Sequence, residues 1–408
     1  MANTLLTASL ITREAMSVLH SSLHVTRNIN HKWGELFGKS YGPIGRGGAT
    51  VSVRKPALGT VRTGWPMNTA DVTETKVDIT IDTPVGVDLA FSDADLALSI
   101  NDFSAQFIQP NVQMLASYVD AQVAKFMYKN TANSVGTPGT SPNASSFFLD
   151  AKRKLRESLV PDGSTLNAVI GPQTEGSMVG ALAGQYNPQP MIGGMFINGE
   201  MPNSKALGLD WYCSQVLPAH TCGTRTNTTP VGNVLASDGL SLTYTAMASS
   251  VTYKIGDVFT IAGVYKVNYE TKESTGALQQ FVVTADGAAA TTTGTIYFTP
   301  ALVATGPNAN VSTATVSTKA ILFKGDASGV YKQDLVFARD SFAFASAELE
   351  IPKGVDMASK FSADGFSLRF IRDYDTTNAR MISRLDLFYG IAALRPEWCC
   401  RVFGGSNE

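Results

Sequence analysis

Four cysteines are too few to staple a chain of 408 residues, and their positions, Cys213, Cys222, Cys399 and Cys400, match no zinc-binding spacing. Reduced thiols are expected. A metal held by all of them would need the fold to bring two distant pairs together, and adjacent Cys399 and Cys400 point poorly for two ligands of one tetrahedron. Charge is also scarce: Asp, Glu, Lys and Arg make up 16% of the chain, and 32 basic against 34 acidic residues leave a net charge of −2. No overall positive field draws in phosphate backbones, so direct nucleic-acid recognition is not indicated. No run approaches the roughly 20 apolar residues that span a bilayer, and Met1 to Ile11 lacks the basic lead and cleavage site of a signal segment. The chain reads as soluble and unsecreted, with no membrane partner.

The parts of an active site are missing as well. There are four histidines, no Gly-x-Ser-x-Gly element and no paired carboxylates in a recognisable setting. Gly34-Glu35-Leu36-Phe37-Gly38-Lys39-Ser40 places three residues between its glycines where a phosphate-binding loop needs four, and Gly and Pro follow it where a helix should begin. His20 and His24 are one helical turn apart with His31 nearby, but Ser21 stands where a metalloprotease carries its Glu base. The chain is therefore read as no enzyme, with no cofactor and no metal.

What is present is apolar patterning rich in turns: 44% hydrophobic residues, 36 Gly and 18 Pro. These supply a large core and many short strands across more than one domain. Ile11, Ala15, Val18, Leu19 and Leu23 recur at helical spacing, and a Gly-rich hinge runs from Gly38 to Gly48. Alternation then predicts strands at Val51 and Val53, at Val77 to Ile81, and at Val87 to Phe91. Between two of these, Pro56 to Thr75 is polar, with Trp65 beside Pro66 and Met67 following. It reads as an extended hairpin leaving the domain body, unable to bury its own apolar side chains and so calling for a neighbouring molecule.

A long helix is predicted from Asn111 to Lys129, about 28 Å at 1.5 Å per residue. A second follows from Ser146 to Val160 with Lys152, Arg153, Lys154 and Arg156 on its solvated face, then a strand at Leu166 to Ile170, a helix at Thr174 to Ala183 and a loop at Gly184 to Pro202. Residues 223 to 320 hold 20 Thr and 10 charged residues without helical rhythm. Six short strands are expected there, at Leu240 to Thr245, Val258 to Ala262, Val264 to Tyr269, Leu278 to Thr284, Thr295 to Thr299 and Ala320 to Phe323, forming a small inserted β-barrel. Longer strands close the chain at Phe342 to Ile351, Phe366 to Tyr374 and Met381 to Leu394. Arg369, Arg372, Asp373 and Asp375 set opposite charges close together, for ion pairs either between subunits or along one strand edge.

This order of elements resembles the Hong Kong 97 fold of tailed-phage capsid subunits. Particular segments resemble the coat protein family of short-tailed phages typified by Salmonella phage P22. They are Arg13-Glu14-Ala15-Met16-Ser17-Val18-Leu19-His20, Gly86-Val87-Asp88-Leu89-Ala90-Phe91-Ser92 and Ser99-Ile100-Asn101-Asp102-Phe103, then Leu335 to Ala343, Leu368 to Asp375 and Tyr389 to Glu397. Within the insertion, Ile255 to Val264 is similar, while the stretch before Gly239 is short for the inter-capsomer loop that members project there.

The resemblance implies an α+β fold divided into an N-terminal arm (1–48), an extended loop with flanking strands (49–91), a peripheral domain with its spine helix (92–160), the first part of an axial domain (161–222), the inserted barrel (223–325) and return strands (326–408). It implies a major capsid protein that assembles with copies of itself into pentamers and hexamers of a virion shell built in the host cytoplasm. A scaffolding protein, a portal protein and packaged double-stranded DNA are the implied partners. Arg54, Lys55, Trp65, Met67, Arg369, Arg372, Asp373 and Asp375 are the candidate subunit contacts. A rival is a secreted or surface-layer β-rich structural protein, which the Asn-x-Ser/Thr sequences at Asn143, Asn227 and Asn310 would allow.

Overall fold

The computed structural model describes residues 8–34, 50–56, 59, 65, 74–92, 109–183, 205–224, 232–245, 251–288 and 293–406. The elements in chain order begin with α1 (Ala8–Ser22), β1 (Thr50–Arg54), β2 (Lys76–Thr80), β3 (Thr83–Ser92), α2 (Gln109–Asn130), β4 (Ser134–Val135), α3 (Ser145–Glu157), β5 (Leu166–Ile170) and α4 (Pro172–Ala183). Then come β6 (Asp210–Cys213), β7 (Ala219–Thr221), β8 (Gly232–Ser237), β9 (Ser241–Thr245), β10 (Thr252–Tyr253), β11 (Val258–Val267), β12 (Ser274–Val283), β13 (Gly287–Ala288), β14 (Gly294–Thr299) and β15 (Ala320–Phe323). The last are β16 (Val330–Ala338), β17 (Phe342–Ser346), β18 (Met357–Ala363), β19 (Phe366–Asp375), β20 (Arg380–Ala393) and β21 (Cys399–Ser406). Among the described residues no helix is long and apolar enough to cross a membrane.

The chain divides into two compact units, one made of Met1–Arg54, Lys76–Val123 and Phe342–Leu394, the other of Lys55–Thr75, Ala124–Ser341 and Arg395–Glu408. In the first, β20 is the organising strand: β3 pairs along Arg380 to Tyr389, β19 along Arg380 to Leu387 and β17 along Tyr389 to Ala393, all antiparallel. β18 extends the sheet from β19. α1 lies against β18 and β19, burying Ile11, Ala15, Met16 and Leu19, which recur on one helical face, and Thr12 meets Ser359 at 2.6 Å. β1 and β2 form an antiparallel pair from Thr50 opposite Thr80 to Arg54 opposite Lys76.

In the second unit a six-stranded sheet runs in the order β4, β21, β16, β5, β6, with β7 also pairing with β16. α3 buries Phe148, Ala151 and Leu155 in a core shared with Ala168, Ile170, Trp211, Val336 and Val402. The barrel closes in the order β11, β12, β14, β9, β8, β15. Its interior is aromatic: Phe259 lies 5.5 Å from Phe281, 5.8 Å from Phe298 and 5.4 Å from Phe323 between ring centres.

Four expectations need correction. The strands expected at Val258 to Ala262 and Val264 to Tyr269 are one strand, β11, because Gly263 takes a positive φ of 69° and the chain passes through it as an irregularity in the pairing. β8, which was not expected, supplies the sixth barrel strand. The strand expected to reach Ile351 stops at Ser346. The helix expected to reach Val160 ends at Glu157, and Leu159, at a φ of 60°, carries the chain into the turn. The Gly-rich hinge at 38–48 and the loop at 184–202 lie outside the described residues.

Candidate functional site

The surface expected to act lies on the connection between β1 and β2. Lys55 N donates to Thr75 O at 2.8 Å, so the last backbone bond of this pair closes at the foot of the Pro56 to Thr75 connection. Most of the connection, Met67 included, lies outside the described residues. Trp65 is described and is 97% exposed, where a large indole has the most to gain from burial. Arg54, at the end of β1, is exposed and Lys55 half-buried.

The second group of candidates sits on β18, β19 and β20, where the charges find partners inside the chain. Arg369, half-buried, donates through Nη2 to Asp386 Oδ2 at 2.5 Å and through Nη1 to Glu350 O at 2.7 Å. Asp386 is buried and also receives Arg384 Nε on its other oxygen at 2.5 Å. Arg372 pairs with Asp356 at 2.8 Å. Asp373 accepts the N–H of Tyr374. Asp375 holds the turn before β20 by accepting from Asn378 Nδ2, Thr377 N and Arg380 Nε, bonds that lower its pKa, with Asn378 contributing most. Arg369, Arg372 and Asp375 thus have ion-pair partners within the chain.

The basic run on α3 is not uniformly solvated. Arg153 pairs with Asp150 and Glu157, and Arg156 with Asp162, at the surface. Lys154 turns inward and donates to Ser134 O and Gln280 Oε1, each at 2.9 Å.

Two buried charge centres escaped the sequence reading. Asp120, on the apolar stripe of α2, accepts the backbone N–H groups of His24, Val25 and Thr26. An acidic residue between buried Val119 and Val123 was the available signal. The other centre joins His220, Cys222 and Asp257, all buried, whose donor atoms lie within 4.8 Å of one another. Asp257 accepts His220 Nε2 at 2.8 Å and the N–H groups of Lys254 at 2.8 Å and Gly223 at 3.3 Å. Arg401, fully buried, lies within electrostatic reach of Asp257 and Cys222, and its pKa is lowered to about 10 by burial. One carboxylate balanced by one guanidinium is already neutral, and a divalent ion with a thiolate would leave a net positive charge in the interior. The residues fit a hydrogen-bonded clamp better than a metal centre. Cys399 and Cys400 are likewise neutral thiols, burial raising them to about 12 and about 11.

His20, His24 and His31 form no metal group either: His20 faces Asp364 at 3.5 Å, and His31 Nε2 bonds Thr26 O at 2.8 Å. His220, Cys222 and Asp257 do bring a thiol, an imidazole and a carboxylate together, but all three are buried in the interior, while the exposed tryptophan on a long connection and the self-paired sheet fit a structural subunit. The sequence profile of the P22 coat protein, gene protein 5, matches residues 55–404.

The chain belongs to the P22 coat protein family. It is a major capsid protein of a tailed phage, a structural component of an icosahedral shell and not an enzyme. The surface-layer alternative falls with that assignment. The fold is similar to that of a solved protein from Mycobacterium phage Che8, with a TM-score of 0.50 and 11% identity over 93% of this chain and 90% of that one. Two further similar structures are the capsid of cyanophage P-SCSP1u, with a TM-score of 0.44, 11% identity and 90% and 85% of the two chains covered, and the mature capsid of bacteriophage PhiM1, with a TM-score of 0.42, 12% identity and 90% and 85% covered. No curated protein sequence matches the chain. The fold is thus a Hong Kong 97-like capsid fold of α+β class.

Proposed function

We propose that this coat protein builds its shell by laying the 56–75 connection across a neighbouring subunit, with Trp65 as the apolar anchor and Arg54, Lys55 and Met67 beside it. The observation that carries this reading is an indole left 97% exposed on a twenty-residue excursion between two paired strands. Residues 1–48 act as the arm reaching another subunit, 92–160 as the peripheral domain, and 161–222 with 326–408 as the axial domain around which pentamers and hexamers form. Residues 223–325 are the inserted domain of the family, a reading supported by the closed six-stranded barrel. Many modest contacts repeated by symmetry then give a stable shell from individually weak interfaces.

Arg369, Arg372, Asp373 and Asp375 contribute to subunit contact secondarily, since three of them already hold partners in their own chain. A scaffolding protein sets curvature, a portal ring occupies one vertex, and packaged double-stranded DNA meets the inner surface without sequence preference, in keeping with a net charge of −2. Deleting residues 56–75 tests the central claim. The variant is expected to keep the circular dichroism of a folded monomer and to yield no closed particles by electron microscopy when scaffold is supplied. Normal particles would refute the assigned contact.

A further inference from the structure

The barrel meets the six-stranded sheet of its own unit largely through polar groups. The apolar cores of barrel and sheet share no residue, although Cys222, Val258, Tyr331 and Phe403 add a small apolar contact. Between the two cores, Gln280 of β12 accepts Ser134 N at 2.8 Å and returns its Nε2 to Ser134 O at 3.2 Å, pairing with β4 much as a strand backbone would. Lys154 of α3 donates to those same two acceptors. Lys324, directly after β15, reaches Ser134 Oγ at 3.2 Å. Lys266 of β11, buried, donates to Ser158 Oγ at 3.0 Å, where α3 ends.

Three ammonium groups therefore gather on two serines and a glutamine. The acids facing them are Glu157, toward Lys154 and Lys266, and Asp150, toward Lys154, and both already bond Arg153. From β21, Arg401 adds a further positive charge beside Lys324, while the Cys400 thiol stays neutral. Lys266 is buried and Lys154 and Lys324 are half-buried, so their mutual repulsion is screened less than it would be at an open surface. All three lysines have lowered pKa values, burial being the largest cause, and Lys324 comes down to about 8.

We propose that the junction of barrel and sheet is a charge-regulated joint, in which three lysines share one patch of neutral acceptors and the removal of one positive charge tightens the barrel onto the sheet. The sign follows from proton linkage. Lys324 holds its proton less firmly when docked than in the unfolded chain, so docking strengthens as pH rises from about 8 toward the ordinary 10.5 and is unchanged below.

Hydrogen exchange on the full-length chain tests this. Replacing Lys324 by Met is expected to slow exchange at residues 134–135 and 278–283 about threefold or more at pH 7, through fewer sub-global openings. Wild-type protection, corrected for intrinsic exchange, should rise toward the variant's between pH 7 and 9.5. A flat wild-type profile over that range, or a Lys324→Met chain no slower than wild type at pH 7, overturns the proposal. If the variant does not fold, the wild-type profile alone decides.

Discussion

Asp120 grips Thr26 twice, its Oδ1 accepting the backbone N–H at 2.9 Å and the side-chain hydroxyl at 2.5 Å, while Oδ2 takes the N–H groups of His24 and Val25. A carboxylate can do this because it offers lone pairs and no donor. The bonds fix the chain just after α1 to α2 within the first unit. Asp120→Ala should cost about 3 kcal/mol or more, since two buried N–H groups and the buried Thr26 hydroxyl lose their acceptor. Denaturant unfolding of the monomer checks this, and Asp120→Asn should lie between the two because its amide turns a donor toward some of those N–H groups.

The pairing of Arg369 and Arg384 with Asp386 makes a second prediction. Asp386→Ala removes the buried carboxylate that Arg369 bonds, while exposed Arg384 keeps Asp88, and should destabilise the chain by about 1 to 3 kcal/mol, read as a lower thermal midpoint. Gly86 lies opposite Asp386, and a Cβ there would come within 2.6 Å of Leu385 O and 2.7 Å of Asp386 Oδ1. Gly86→Ala should therefore also lower the midpoint, although it removes no charge.

Asp334 gives a pH signature. Fully buried on β16, it accepts Thr174 Oγ1 at 2.6 Å and Gly171 N at 2.8 Å at the start of α4, yet burial raises its pKa to about 6. The folded state takes up the proton before the unfolded chain does, so this group's contribution favours folding below about 4 and fades as pH climbs through about 6. Relative to wild type, Asp334→Asn should gain stability on going from pH 5 to pH 7.5. Paired urea titrations at the two pH values would expose the opposite sign.

The clamp at His220, Cys222 and Asp257 predicts a negative result that can fail. Cobalt added to the folded chain should give no thiolate-to-metal absorption band, because Arg401 already balances Asp257. A band lost on Cys222→Ser would identify a metal centre.

Legibility in the sequence followed exposure. Strands with one wet face, such as β9 and β14, alternate visibly, and α1 and α2 show their stripes to within a few residues of the observed ends. β16 and β21 were missed because they are central strands buried on both faces: from Gln333 to Ala338 every residue is buried, so no period of two survives. β18 was missed for the opposite reason, since Met357 to Ala363 carries only two large apolar residues, Met357 and Phe361, and buries no residue fully. The surface candidates could be proposed from residue type alone. Lys154 could not be separated from its solvated neighbours, because what turns it inward is Gln280, 126 residues away.

The position of β21 bears on how this subunit comes into being on the ribosome. Cys399–Ser406 lies between β4 and β16, so β4 stays unjoined to the other strands of its sheet until β21 has been made, while every strand of the barrel comes from one uninterrupted stretch completed some eighty residues sooner. A nascent chain would thus carry a finished barrel while β4 still waits for its partner strand.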